Sequence, residues 1–310
     1  LPHPRPHVTI FSQYNVDECF YTMNLTMTQA SRTLTVRPAG PADARGVQSL
    51  LETSSRSHLH PDWRPVTDWL GRAPAFVAES PAGLTACLLA SVDPAPAAWV
   101  RTAAVANGFS APVIMRRLFA PCLQALAQQG IETLSAMPTE PWLAPILDEL
   151  GFAIVEQVET WRKPDLVATC DGARDVTIRP ARSEEMEELA RIDHLAFRPR
   201  WRFSVESLVL AWEQAAIFTV AERDDQLVGF QISLSDQSGA HLARLTVRPD
   251  AQRTGVGSRL LADALARYAH LGISSVSLNT QVHNGPSHRL YSAFGFEPGS
   301  PPVPVWERLT

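Results

Sequence analysis

The sequence is short of several things. Its 310 residues include only four cysteines, Cys19, Cys87, Cys122 and Cys170. None stands in a C-x-x-C pair or at metal-ligand spacing, so the expectation is reduced thiols and no metal, rather than a disulfide framework or a zinc site. No apolar run approaches the ~18 residues that would read as a membrane span. The opening Leu1-Pro2-His3-Pro4-Arg5-Pro6 lacks the charged start and apolar stretch of a secretory signal. Positive charge is also in deficit. The 27 Lys and Arg against 32 Asp and Glu leave a formal net charge of −5, whereas nucleic-acid binding usually shows a basic stripe. These absences predict a cytoplasmic protein with neither nucleic acid nor membrane as partner. Residues 1–32 carry no periodicity and are expected to form a disordered leader.

What the chain does have is an internal echo. Thr35-Val36-Arg37-Pro38-Ala39 returns 142 residues later as Thr177-Ile178-Arg179-Pro180-Ala181. Pro61-Asp62-Trp63-Arg64 resembles Pro199-Arg200-Trp201-Arg202, and Leu150-Gly151-Phe152 resembles Phe294-Gly295-Phe296. The period is far too long for a solenoid and marks two domains. Expected boundaries are 33–163 and 176–310, joined by a linker over 164–175. Each copy alternates strand-like and helix-like segments, which predicts an α/β (α+β) fold with a mixed sheet. After the second echo, Ser183 reads as a helix N-cap, with Met186, Leu189, Ile192 and Leu195 as the buried stripe.

In the second copy, His241 to Val247 alternates like a strand and Pro249 ends it. Gln252-Arg253-Thr254-Gly255-Val256-Gly257 follows, and Ser258 to Leu271 reads as an amphipathic helix. Strand, glycine loop and helix make an anion cradle. Glycine lets the backbone approach closely, and the helix N-terminus offers unpaired N–H groups and partial positive charge. Asn284, Leu290-Tyr291 and Gly295-Phe296 come later, in order.

The set Gln252-x-x-Gly255-x-Gly257 with Asn284, Leu290-Tyr291 and Gly295-Phe296 resembles the acetyl-CoA motifs of the GNAT (GCN5-related N-acetyltransferase) superfamily. The resemblance is full over 177–310 and, through the repeat, weak over 35–162. It implies two tandem acyl-CoA N-acyltransferase folds, each a mixed twisted sheet flanked by helices. It also implies acetyl-CoA as co-substrate, held by Leu245, Thr246 and Val247 through the backbone, by Arg253, Thr254, Gly255, Val256, Gly257 and Ser258 at the diphosphate, and by Asn284 along the arm. Tyr291 would be the general acid that protonates the leaving thiolate. Shifting by 142 puts Ala111, Pro112, Val113 and Met115 where the second copy has Arg253, Thr254, Gly255 and Gly257. Side chains and a missing N–H then replace the cradle, so the first copy is expected to be degenerate.

The base is less readily assigned. Some family members carry a glutamate where this chain has Asn279, and an amide cannot accept a proton. His241 or Glu222 remain as candidate bases, with His283, His288 or a water chain behind them, and no single one is expected to be indispensable. The segment Phe197 to Phe203, with Arg200, Trp201 and Arg202, is expected to meet the acceptor and would suit one bearing a carboxylate or phosphate. The expected activity is acetyl transfer to a primary amine of a small molecule or peptide, by a monomer or homodimer. A non-catalytic CoA-binding regulator or scaffold is the alternative. Modification of a thiol compound or antibiotic, as in tandem members such as mycothiol synthase, is a third reading.

Overall fold

The computed structural model describes residues 34–72, 74–236 and 239–310; the expected leader lies outside the described residues. The first half runs β1 (Thr35–Pro38), α1 (Ala44–Thr53), β2 (Arg56–Leu59), β3 (Ala75–Ser80), β4 (Gly83–Ser91), β5 (Ala97–Val105), α2 (Ala111–Gln128), β6 (Thr133–Ala136), α3 (Ala144–Glu149) and β7 (Ala153–Lys163). The second runs β8 (Thr177–Pro180), α4 (Met186–Ala196), α5 (Val205–Gln214), β9 (Ile217–Arg223), β10 (Gln226–Asp236), β11 (Gly239–Val247), α6 (Val256–His270), β12 (Val276–Gln281), α7 (Gly285–Ala293), β13 (Glu297–Pro298) and β14 (Val303–Leu309). The order of elements repeats, except that β2 stands where the second half has α5, and β13 has no counterpart in the first half.

Local chemistry explains the repeated parts. Each copy opens with the same clamp. Arg37 reaches Asp43 at 2.7 Å and Glu79, and Arg179 reaches Glu185 at 2.6 Å and Glu222 at 2.7 Å. Each arginine thereby ties the first strand to the next helical turn and to the neighbouring strand. Met186, Leu189 and Ile192 are buried as the periodicity predicts, but Leu195 is 66% exposed because α4 ends one residue later. Ser183 is not the N-cap. A short 3₁₀ turn over Ser183–Glu185 precedes α4, and Glu185 accepts the Arg182 N–H at 2.9 Å. Helix α6 starts at Val256, ahead of the expected Ser258, and Leu271 lies exposed just beyond its end.

The strands lie in the order β1-β3-β4-β5-β6-β14-β7-β12-β11-β10-β9-β8. The sheet is mixed and flanked by helices, but the expectation of one sheet per half is corrected: all strands among the described residues belong to one sheet. The cause is an exchange of closing strands. Strand β14, from the second half, pairs with β6 from Leu309↔Thr133 to Trp306↔Ala136 and, on its other side, with β7. Strand β7 continues past that contact and pairs with β12 from Val158↔Gln281 to Lys163↔Val276. Each half therefore leaves its parallel pair (β5 with β6, β11 with β12) to be completed by the other half. The two edges that separate sheets would expose are both satisfied.

Candidate active site

The site begins with a β-bulge. Between β10 and β11, Ile232 pairs with Arg244 and Ser233 with Leu242, so Ala243 has no partner in the ladder. A bulge reverses the alternation of faces. Arg244 and His241 consequently share the face packed by α4, while Leu242 joins the core under α6. Strands β11 and β12 pair in parallel only from Ala240↔Val276 to Leu242↔Leu278, then part. Beyond that point Arg244 to Val247 stays paired with β10 on one side, and its other edge faces the gap with no strand against it among the described residues. At the mouth of the gap, Gly255 caps α6 with φ at 88° and no side-chain hydrogen bond. The amides of Val256, Gly257 and Ser258 precede the first intrahelical bond, from Arg259 N to Gly255 O, and point outward as unpaired donors.

The stretch between β7 and β8 supports this loop. Ala173 N donates to Gly255 O at 3.1 Å. Gly172 has φ at 74°, and a Cβ there would lie 2.3 Å from Arg259 N. Arg223 bridges Asp175 at 2.9 Å to Thr254 Oγ1 at 3.1 Å.

Opposite the gap is a cavity of about 320 Å³ lined by both halves. The second half supplies His241 to Leu245, Asn279, Tyr291 and the segment around Arg200, Trp201 and Arg202. The first supplies His60, Asp62, Trp63, Asp93, Trp99 and Arg101. None of these first-half residues was singled out for the site in the sequence. The 142-residue shift offered one signal, since it sets Trp99 against His241 and Arg101 against Ala243. Arg101 is the bulged residue of β5, as Ala243 is of β11.

The acceptor-side segment is held by Arg244. Its guanidinium lies between the Phe197 and Phe203 rings, 3.5 and 4.3 Å from their centroids. It donates to Asp193 at 2.7 Å and to Trp201 O at 2.6 Å. Within the segment, Arg200 pairs with Glu307 at 3.0 Å, and Trp201 Nε1 donates to Glu156 at 2.7 Å. Arg202 Nε donates to Phe197 O at 3.1 Å, and among the described residues Arg202 has no carboxylate partner. Facing it in the first-half wall, Asp62 pairs with Arg101 at 3.1 Å, Asp93 accepts from Ser207 Oγ at 2.6 Å, and His60 stacks on Trp99 at 4.7 Å. Burial, then the nearby Arg101 charge, push the His60 imidazole well below its usual range.

His241 lines the cavity with its pKa lowered by burial, and its Nδ1 meets Ser277 Oγ at 3.0 Å. Tyr291 is 6% exposed. Burial pushes its phenol up to about 12, against the opposing effect of a hydrogen bond with Ser287. Asn284 accepts Ser287 N at 3.2 Å as the N-cap of α7 and also lines the cavity. Glu222, the other candidate base, sits at the end of β9, held by Arg179, and does not line the cavity. His283 is exposed and His288 is held by Glu159 at 3.0 Å, and neither lines the cavity. No group of three or more His, Cys, Asp or Glu among the described residues could hold a metal ion. No helix among them is long and apolar enough to cross a membrane.

The first half closes the equivalent gap with its own chain. Strands β5 and β6 pair only from Ala97↔Thr133 to Trp99↔Ser135. Strand β2 then occupies the free edge of β5, from Leu59↔Thr102 to Arg56↔Val105. Trp142, at the shifted position of Asn284, donates to Ser57 O at 3.1 Å and fastens the far side of β2.

Residues 185–296 match the model of the Acetyltransferase (GNAT) family. A mycothiol acetyltransferase of Acidimicrobium ferrooxidans is 27% identical over 195 residues, covering 55% of this chain and 62% of that protein. One from Brachybacterium faecium is 30% identical over 139 residues, 42% of each. The chain thus spans less than two thirds of the length of these curated relatives. A solved tandem GNAT protein from the clavulanic acid biosynthesis pathway shares the fold, with a TM-score of 0.60 over 89% of this chain and 98% of that one at 18% identity.

Proposed function

We propose that this chain, which belongs to the GNAT superfamily and carries its fold in tandem, transfers an acetyl group from acetyl-CoA to a primary amine seated between its two halves. The observation that carries the reading is the open edge of β11 beside three unpaired amides at the start of α6, next to a cavity holding His241 and Tyr291. An extended chain of amides suits the first, and a diphosphate suits the second. The residues present therefore fit the CoA arm in the second half. In the first half, β2 and Trp142 fill the same space, so one cofactor per chain is expected.

When bound, acetyl-CoA supplies an activated acyl carbonyl and a thiolate leaving group. His241, kept neutral by burial, accepts the amine proton. Tyr291, whose raised pKa keeps the phenol protonated, donates to the departing sulfur. This assigns the base to one side chain, in place of the dispensable base expected from the sequence. Arg202 leaves a cationic group free for a carboxylate or phosphate on the acceptor.

The test is thiol release from acetyl-CoA across a panel of amines with and without an anionic group. CoA binding without release on any of them would favour the scaffold reading. Turnover in which anionic acceptors hold no advantage, or in which Arg202→Ala spares that advantage, would sink the acceptor class.

A further inference from the structure

His241 stands in a wall between two spaces. One is the acceptor-side cavity. The other is an open depression of about 850 Å³ that Ser275 and Ser277 also line. Only one nitrogen of the imidazole has a partner among the described residues: Nδ1, with Ser277 Oγ at 3.0 Å. The two residues face one another across the parallel pair, one register step before the strands part.

The Ser277 hydroxyl has a second neighbour, Ala240 O at 3.4 Å. A carbonyl only accepts, and a hydroxyl has a single proton to give. With that proton directed at Ala240 O, Ser277 Oγ is left to accept from Nδ1–H. The imidazole then carries its proton on Nδ1 and its lone pair on Nε2. Which nitrogen of a neutral histidine is basic is set by the hydrogen bond that the other makes.

We infer that Ser277 is a positioning residue, one that holds His241 as the Nδ1–H tautomer so that Nε2 is the basic nitrogen presented to the acceptor amine. The inference rests on the reading of His241 as base. In the transfer, the amine N–H bond breaks and Nε2–H forms as the new N–C bond closes. The resulting imidazolium still donates through Nδ1 to Ser277 Oγ, so the same contact that sets the tautomer also stabilises the charge that develops. The first half shows the serine without this duty. Ser135, at the shifted position, donates to Glu307 at 3.0 Å, and Trp99 replaces the histidine.

The experiment uses the full chain labelled with ¹⁵N-histidine, with CoA alone as added ligand and His241→Asn to assign the resonance. The wild type is expected to show a protonated Nδ1 and an unprotonated Nε2. Ser277→Ala should mix the tautomers, and Ser277→Thr, which keeps the hydroxyl, should restore the bias. An Nε2–H tautomer in the wild type, or an unchanged tautomer in Ser277→Ala, overturns the inference. With the best amine from the panel, Ser277→Ala should lower kcat about tenfold at unchanged KM for acetyl-CoA, and cost nothing further in a His241→Ala background. Equal losses in both backgrounds would mark a merely structural serine. Full activity in His241→Ala would remove the base reading and this inference together, whereas a loss there beside an unaffected Ser277→Ala overturns the role of Ser277 alone.

Discussion

Trp99 and His241 hold the same place in the two halves, each two residues before the bulged position of its strand, and both face one shared cavity. One ring can accept a proton and the other cannot. Trp99 instead donates Nε1–H to Arg200 O at 2.7 Å and stacks against His60. It supports the acceptor-side segment of the other half.

From this asymmetry, His241→Ala should lower kcat roughly 10²- to 10³-fold, within the usual range for general base catalysis. Trp99→His should not create a second centre, since β2 occupies the gap beside it. Because burial lowers the His241 pKa, the imidazole is neutral and competent above it. The acidic limb of the kcat/KM profile should therefore lie below pH 6.5, with activity falling as pH drops through it. An acidic limb above 6.5 would contradict the assignment.

The glycine loop depends on bare backbone on both of its sides. Gly255→Val imposes a left-handed φ on a branched residue, and Gly172→Val drives a side chain into the Arg259 amide. Both should weaken CoA binding more than tenfold by calorimetry. Met115→Gly in the first half should add no site, and a stoichiometry of two CoA per chain in that variant would count against the filled gap.

Asp193 is fully buried and meets the Arg244 guanidinium. Removing one partner of such a pair strands the other charge, at a cost of about 3–5 kcal/mol. Asp193→Ala should show a loss of that order in urea unfolding, together with a raised KM for the amine as the Phe197–Phe203 segment loosens. A change below about 1 kcal/mol would mean that the guanidinium finds another partner.

Acid should destabilise the chain before its carboxylates titrate. His58, His60 and His241 all have lowered pKa values, with burial as the leading cause. For such groups the stability is present in full above the unfolded value near 6.5 and is lost as pH falls toward the folded values. The melting temperature should drop by roughly a few degrees between pH 7.5 and 5.5. His60→Asn should flatten that slope, and an unchanged slope would show that His60 is not a source of it.

Much of the candidate site could be read from the sequence because its signals are local. Glycine spacing, an alternating strand and an amphipathic helix lie within one stretch, from His241 to His270, and Asn284 and Tyr291 follow in order. What escaped depends on pairing between distant residues. The bulge at Ala243 is a mismatch of register with β10, and nothing in the residues themselves marks it. The plug formed by β2 looks in sequence like any short polar stretch, Arg56-Ser57-His58-Leu59. Asp62, Asp93 and Trp99 join the cavity only because the halves face each other. Glu222 looked free in sequence, although its counterpart Glu79 and their two arginines formed a repeated set whose role was architectural.

The exchange of closing strands also sets a timetable for synthesis. Strand β6 of the first half waits for Val303–Leu309, which leaves the ribosome after every other strand among the described residues. An amino-terminal half that has already emerged must therefore persist with an unsatisfied edge while the remainder of the chain is made. Nascent chains stalled before Val303 should remain sensitive to protease within residues 34–163, and release of the full chain should confer resistance on both halves at once.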